Sequence, residues 1–394
     1  MWEWMFAVCL LFVGYTYVGY PALLWVISRV KVRKVDTCKE PTPLPTVSVI
    51  IAAHNEESNI STRIENILQC DYPRENLQIV VSCDGCTDRT AQIARGYDNV
   101  LVLDLPRRGK AAVLNEAVAA AQGDVLVFTD ARQRFAPDAL RHLVKTVYCP
   151  EVGAVGGDLV LVDYAGTPRA MGAYWAYEKL LRRLESMVAS PLQCSGAIYA
   201  IRRELFVPMP EGLVLDDMWV PLHVVRKGRR IAFETLAKAY DIVTPTYHHE
   251  FRRKVRTLAG NYQLIWMAPW LLVPGVNPLW WQFISHKVFR LLVPYALLGM
   301  YIASWALWRQ SYSAALAVAQ TGYYLLGALA WAMPSLARRF RLAGLAGSFL
   351  SLNAAAAVAP LAFVMGRGQV RWERSPMMAP QNPGDKGRNK IRTY

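Results

Sequence analysis

The sequence predicts an α/β domain, a mostly parallel sheet with helices on both faces, set among transmembrane α-helices. Three observations predict it. From Val47 onward short β-rich runs alternate with helical stretches, the mark of a parallel sheet with crossover helices. Those β runs are almost continuously apolar, as strands buried on both faces are. And of the 394 residues 54% are apolar, against an ordinary ~45–50%, with the excess gathered at the two ends of the chain. Such a composition excludes a disordered chain, a collagen-like repeat and a small disulfide scaffold.

The first apolar run, residues 4–27, holds no charged side chain and reaches the ~20 residues that cross a bilayer. A cleaved signal peptide is the alternative, but the Met1-Trp2-Glu3-Trp4 start lacks a positive leading region. A retained anchor is expected, with a first domain at 1–30. Arg29, Lys31, Arg33 and Lys34 follow at once, and the positive-inside rule places the next segment in the cytoplasm. Three more runs, at 283–308, 313–333 and 342–365, are each long enough to span. His286, Lys287 and Arg290 open the first of them, which calls for a buried polar face or a snorkelling end. Arg338, Arg339 and Arg341 suit a cytoplasmic loop. Counting crossings from that loop puts the basic tail at 367–394 outside, against the same rule, so topology at the C-terminus stays open.

The net charge of +14 divides between membrane flanks and a basic stretch at 252–256. Anionic lipid and phosphate are the expected partners, and no nucleic acid is. Among seven cysteines the only regular spacing is Cys83-x-x-Cys86. It has two readings, a thioredoxin-like redox pair or a turn whose inner residues, Asp84 and Gly85, do other work. No disulfide framework is expected in a cytoplasmic domain, and no Cys/His spacing suits zinc.

In the middle of the chain the strand runs are VSVIIAA, LQIVVSC, VLVLDL and DVLVFTDA, with helices near 57–69, 88–95 and 110–121. No Gly-x-Gly-x-x-Gly follows the first strand, so a dinucleotide fold has little support. In an open α/β sheet ligands bind outside the carboxyl ends of the strands. The first strand ends in Ala53-His54-Asn55-Glu56, the second in Asp84-Gly85-Cys86-Thr87-Asp88, the fourth in Asp130-Ala131-Arg132. Acids therefore converge on one sheet edge. Singly, Thr87 or Asp88 serves equally well as a helix cap; three strand ends together point to a site. Arg107-Arg108-Gly109-Lys110 opens a helix and offers cations and free N–H groups to a phosphate, or is a solvated turn. Asp158, in Gly156-Gly157-Asp158, is a further candidate beside the ligand.

With these motifs in this order, the stretch from Val47 to about Gln263 resembles the family-2 glycosyltransferases of GT-A fold. The resemblance implies a nucleotide-sugar donor, a UDP-sugar first, and an Asp-x-Asp motif for Mg²⁺ or Mn²⁺. The donor side would comprise Ala53, His54, Glu56, Asp84, Gly109 and Lys110, with Asp130 on the metal. Here the second acid is replaced by Arg132, which would touch the diphosphate; a hard cation needs only one or two protein carboxylates when phosphates and waters complete its shell. Leu215-Asp216-Asp217-Met218-Trp219 resembles the family's acidic pair, which implies Asp217 as base with Asp216 in support; capping the helix that follows is the other reading. Ser195 and Gly196 stand where the family lines its acceptor entrance; a small-residue turn with no ligand is the other reading.

Processive members such as cellulose, chitin and hyaluronan synthases carry Gln-x-x-Arg-Trp after the acidic pair, and this chain lacks it. Gln369-Val370-Arg371-Trp372 is one residue short and lies beyond the last apolar run. In its place stands a basic helix in which Arg253 and Arg256 would steady a leaving diphosphate, or rest on anionic lipid. His248 and His249 have no spaced metal partner. Residues 169–187 and 264–281 suit interfacial helices. The expected layout is 1–30, one transmembrane helix; 45–248, the catalytic domain; 249–282, an interfacial segment; 283–366, three transmembrane helices; 367–394, a tail. It implies an integral protein of a bacterial inner membrane that builds an exopolysaccharide. A single-sugar transferase acting on a lipid-linked acceptor and a non-catalytic, sugar-nucleotide-binding regulator are the rivals.

Overall fold

The structure, a computed structural model, describes residues 1–30, 38–162, 173–242 and 247–366; the basic tail lies outside them. The described chain forms two compact units, an α/β unit within Arg33–Met171 and Glu185–Pro245 and a helical unit within Met1–Val32, Gly172–Leu184 and Thr246–Gly368.

The α/β unit carries one sheet of strands β1 (Val47–Ala53), β2 (Leu77–Asp84), β3 (Val100–Leu105), β4 (Val125–Asp130), β5 (Arg134–Phe135), β6 (Val152–Val162), β7 (Tyr199–Arg202) and β8 (Arg230–Ile242). Their spatial order is β3-β2-β1-β4-β7-β6-β8-β5. The four strands read from the apolar runs pair in parallel. Beyond them the sheet is mixed: β7 runs antiparallel to both neighbours, and β6 and β8 are again parallel. All seven residues of β1 are buried, which is why that run shows no polar alternation. The helix Ile60–Leu68 turns Ile60, Ile64 and Ile67 to the core, a single face by i, i+4, i+7 spacing.

Two tertiary ties in this unit were not legible along the chain. Cys38, before β1, is disulfide-bonded to Cys149, after the helix Ala139–Val147, with Cα atoms 5.6 Å apart across 111 residues of sequence. Cysteine spacing carries no trace of such a pairing, because the fold alone brings the two segments together. Arg63 is fully buried; it donates to Asn66 Oδ1 at 2.6 Å and Thr129 Oγ1 at 2.8 Å and lies over the Phe135 ring. Burial pushes its guanidinium down to about 9.

Among the described residues of the helical unit, four helices are long and apolar enough to cross a membrane: Trp2–Val30, Trp280–Ala306, Ser311–Ala332 and Arg341–Val364. The first and second meet through Phe12 on Phe289, and Tyr15 Oη bonds both Ser285 Oγ and Trp281 Nε1. Gly327 lets the third approach the fourth, since a Cβ there would stand 2.8 Å from the Ala346 carbonyl. The helix Tyr247–Met267 packs Ala259 against Ala359 and Ala362. The polar residues opening the second span have a buried partner: Glu178, on the helix Ala173–Val188, pairs with Arg290 and lies 3.4 Å from His286. Burial alone would raise the Glu178 carboxyl, but Arg290 and His286 hold it well below the usual range.

Candidate active site

The carboxyl ends of β1, β2 and β4 stand side by side because these strands are parallel neighbours. Ala53, the last residue of β1, is buried. After it His54 donates from Nδ1 to the Asp84 carbonyl at 2.7 Å, leaving Nε2 to accept from Arg107. Asp84 ends β2; its Oδ1 accepts the N–H groups of Arg108 at 2.7 Å and Gly109 at 2.9 Å. Its Oδ2 is buried with no hydrogen-bond partner among the described residues. Gly109 takes φ 91°, a conformation that favours glycine, and hands the chain to the helix Lys110–Ala120.

Lys110 is the hub of the edge. Its Nζ lies 3.1 Å from Asp130 Oδ1 at the end of β4 and 3.2 Å from Asp216 Oδ2. Burial would lower this ammonium, but Asp130, Asp216 and Asp217 together raise it above an ordinary lysine. Asp216 and Asp217 open the helix Asp216–Arg226, where carboxylates are favoured by the positive helix end. Asp217 Oδ2 accepts from the Gly196 N–H at 3.3 Å, and its carbonyl accepts from Cys194 N–H at 3.0 Å. A side chain at Gly196 would begin 3.6 Å from Lys110 Nζ and 3.8 Å from Asp217 Oδ2. Ser195 beside it is bridged to Ile198, closing that turn.

Direct contacts thus join His54, Asp84, Gly109, Lys110, Asp130, Asp216, Asp217 and Gly196. Glu56 is engaged elsewhere, accepting from Asn59 Nδ2 at 2.6 Å as the helix Ile60–Leu68 begins. Asp88 is tied to the start of the next helix: its Oδ1 accepts from Thr90 N–H at 3.0 Å. Arg132 lies 3.3 Å from Asp241 Oδ2, which also accepts from Gln133 Nε2 at 3.1 Å. Asp158 is buried on β6, opposite Lys238 of β8. Arg253 and Arg256 lie on the helix Tyr247–Met267 of the helical unit.

Sequence reasoning missed Tyr199 and Asp241. The Tyr199 hydroxyl is buried without a hydrogen-bond partner among the described residues, and its ring stacks on Phe128 at 4.7 Å. Burial first, and then Asp216 and Asp217, push the phenol well above its usual range. An aromatic residue in a β run looks like ordinary core, so nothing in the sequence distinguished it.

The oxygen donors at this edge suit a hard cation. Among the described residues no cluster of three or more His, Cys, Asp or Glu side chains is preassembled for one. Asp130 is the strand-end carboxylate, and its side chain is 30% exposed. It fits Mg²⁺ or Mn²⁺, which bind through one or two carboxylates when substrate phosphates and waters fill the remaining positions.

The sheet edge thus presents a carboxylate at each of two strand ends, a helix-opening lysine and an acidic pair at a second helix start. Residues 48–206 match Glycosyl transferase family 2, and the fold is GT-A-like, with four helices among the described residues long and apolar enough to cross a membrane. It is 34% identical over 119 residues to a beta-monoglucosyldiacylglycerol synthase of Nostoc sp., covering 28% of this chain and 25% of that one. It is 22% identical over 232 residues to the poly-beta-1,6-N-acetyl-D-glucosamine synthase of Staphylococcus aureus, covering 56% of each. The chain spans about half the length, or less, of the curated relatives it matches. Among solved structures, the mannosyltransferase PcManGT of Pyrobaculum calidifontis, in complex with GDP-Man and Mn²⁺, superposes with a TM-score of 0.68 at 25% identity. That likeness covers 91% of this chain and 99% of the other.

Proposed function

We propose that the protein is a metal-dependent, inverting glycosyltransferase that faces the cytoplasm and moves a sugar from a nucleoside diphosphate to a hydroxyl acceptor. The observation that carries this reading is the continuous contact path Asp130–Lys110–Asp216, with Asp217 and Gly196 beside it. A UDP-sugar is the donor expected from the sequence; the GDP-Man bound by the archaeal mannosyltransferase makes a GDP-sugar the other.

In this mechanism Asp84 holds the nucleoside, and the opening N–H groups of the Lys110–Ala120 helix face the diphosphate. Lys110 shifts from its carboxylates to a phosphate. Asp130 holds Mg²⁺ or Mn²⁺, which supplies charge neutralisation at the diphosphate. Asp217 takes the proton of the acceptor hydroxyl as its oxygen bonds to the anomeric carbon and the bond to the diphosphate breaks, with inversion. Asp216, tethered by Lys110, keeps the helix start in place. Ser195 and Gly196 border the acceptor. Arg253 and Arg256 serve the leaving diphosphate or an anionic lipid surface.

The product in this reading is an exopolysaccharide. The missing Gln-x-x-Arg-Trp, and only four candidate spans among the described residues, favour a second one, a single sugar added to a lipid-linked acceptor. Nucleotide release by the detergent- or nanodisc-held protein, across UDP-, GDP- and TDP-sugars with either ion, tests both when product size is measured. Release with one donor, lost in Asp217→Asn, is expected. Donor binding without release, even with membrane lipids supplied as acceptor, would turn the reading to a sugar-nucleotide-binding regulator.

A further inference from the structure

The Cys83-x-x-Cys86 spacing plays no part in the chemistry above, yet the two thiols bracket Asp84, its proposed nucleoside carboxylate. Both cysteines lie beside the end of β1. Cys83 pairs in register with Ala53, and the Cys86 thiol donates to the Ala53 carbonyl at 3.5 Å. Between them the chain turns back through Gly85 at φ 58°. The two thiols are close enough that each is the largest influence on the other's ionisation. Cys83 is buried and Cys86 half-buried, so a dissolved oxidant meets Cys86 first. The neighbouring Cys83 holds the Cys86 thiol below its usual value, which favours the reactive thiolate there.

The turn has little slack. Gly85 N–H is bonded to the Leu105 carbonyl at 2.8 Å, and a Cβ at Gly85 would stand 2.9 Å from the Arg107 Cβ. Asp84 Oδ1 is held by the Arg108 and Gly109 N–H groups. Drawing the two neighbouring sulfurs to the ~2.05 Å of a disulfide therefore displaces the Asp84 carboxylate and its partners in the 107–110 turn.

We propose that Cys83 and Cys86 are a reversible oxidation site whose disulfide withdraws Asp84 from the donor and so shuts the transferase down. The proposal rests on the donor-site reading of Asp84. The oxidant is a small-molecule disulfide such as glutathione disulfide. The Cys86 thiolate attacks one of its sulfurs and expels one glutathione thiolate; the Cys83 thiol then attacks the Cys86 sulfur and expels the second, which takes up the Cys83 proton. Two protein thiols become one disulfide, and one glutathione disulfide becomes two thiols that carry the two protons.

The test equilibrates the full-length protein, in detergent, with glutathione buffers from reduced to oxidised. Alkylation and peptide mapping read the disulfides, and calorimetry reads binding of UDP- and GDP-sugars with Mn²⁺. Expected is a Cys83–Cys86 disulfide in oxidised buffer, distinct on the map from Cys38–Cys149, with donor binding weakened at least about tenfold (1.4 kcal/mol). Dithiothreitol restores both, and Cys86→Ser binds like the reduced protein in every buffer. A map with no Cys83–Cys86 disulfide in oxidised buffer overturns the proposal, and so does a disulfide that leaves binding unchanged. No donor binding by the reduced protein would overturn the donor-site reading and the switching claim together, while the map still decides the oxidation site.

Discussion

Lys110 carries the largest electrostatic load of any single residue at the sheet edge. With Asp130 and Asp216 each about 3 Å from its ammonium, replacing it by methionine leaves those carboxylates without their common cation. Lys110→Met is expected to weaken nucleotide-sugar binding about tenfold or more, read by calorimetry. Its pH signature follows from the raised ammonium. A base whose folded value lies above its unfolded ~10.4 contributes stability that is fully present below that pH and lost as pH rises through the folded value. The thermal-stability gap between the native protein and Lys110→Met should hence be level up to about pH 10 and narrow beyond it. Asp217→Asn keeps the shape of the side chain but cannot accept a proton. It should leave donor affinity within about threefold and cut the transfer rate by about 10²–10⁴; undiminished transfer would remove Asp217 from the base role.

Elements rather than residues decide where charge can be buried. The helix Ala173–Val188 brings Glu178 against Arg290 and His286, and removing one partner of such a pair strands the other charge. Glu178→Gln should lower stability by about 3–5 kcal/mol, and the double variant Glu178→Gln with Arg290→Met should recover part of that loss. Glu178 is an acid held well below its ordinary value. Its stabilisation is present above about pH 4.5 and is lost as pH falls through the folded value. Acid unfolding of Glu178→Gln should therefore be shallower below about pH 4.5 than that of the native protein. At the end of β4 a different experiment applies: Asp130→Ala should abolish the dependence of donor affinity on Mn²⁺, and calorimetry with and without the ion measures it. The half of the sheet that was legible, β1 to β4, consists of strands whose apolar runs and parallel pairing follow directly from burial on both faces. The mixed half was not legible, since β5 has two residues and β7 four, too short to show any period.

For the molecule as a whole, the tie between Cys38 and Cys149 closes a covalent loop across 111 residues of the α/β unit. Cys38→Ser with Cys149→Ser should lower that unit's stability by about 2–4 kcal/mol, chiefly through the unfolded chain, as a fall in its melting temperature. Arg253→Ala and Arg256→Ala distinguish two roles for the basic helix. Slower transfer with unchanged donor affinity assigns them to the leaving group, and equal turnover with lost liposome association assigns them to lipid.

The sequence by itself determined the alternation that builds the parallel strands, the four apolar stretches, and the identity of the residues at the strand ends. It could do so because burial on two faces, bilayer thickness and the strand-end rule act along contiguous stretches of chain. Only the tertiary structure decided that Lys110 joins Asp130 to Asp216, that Arg132 pairs with Asp241, and that Cys38 meets Cys149. Those pairings span long intervals of sequence. What sets them is the order of strands and the packing of helices upon them, which no local spacing records.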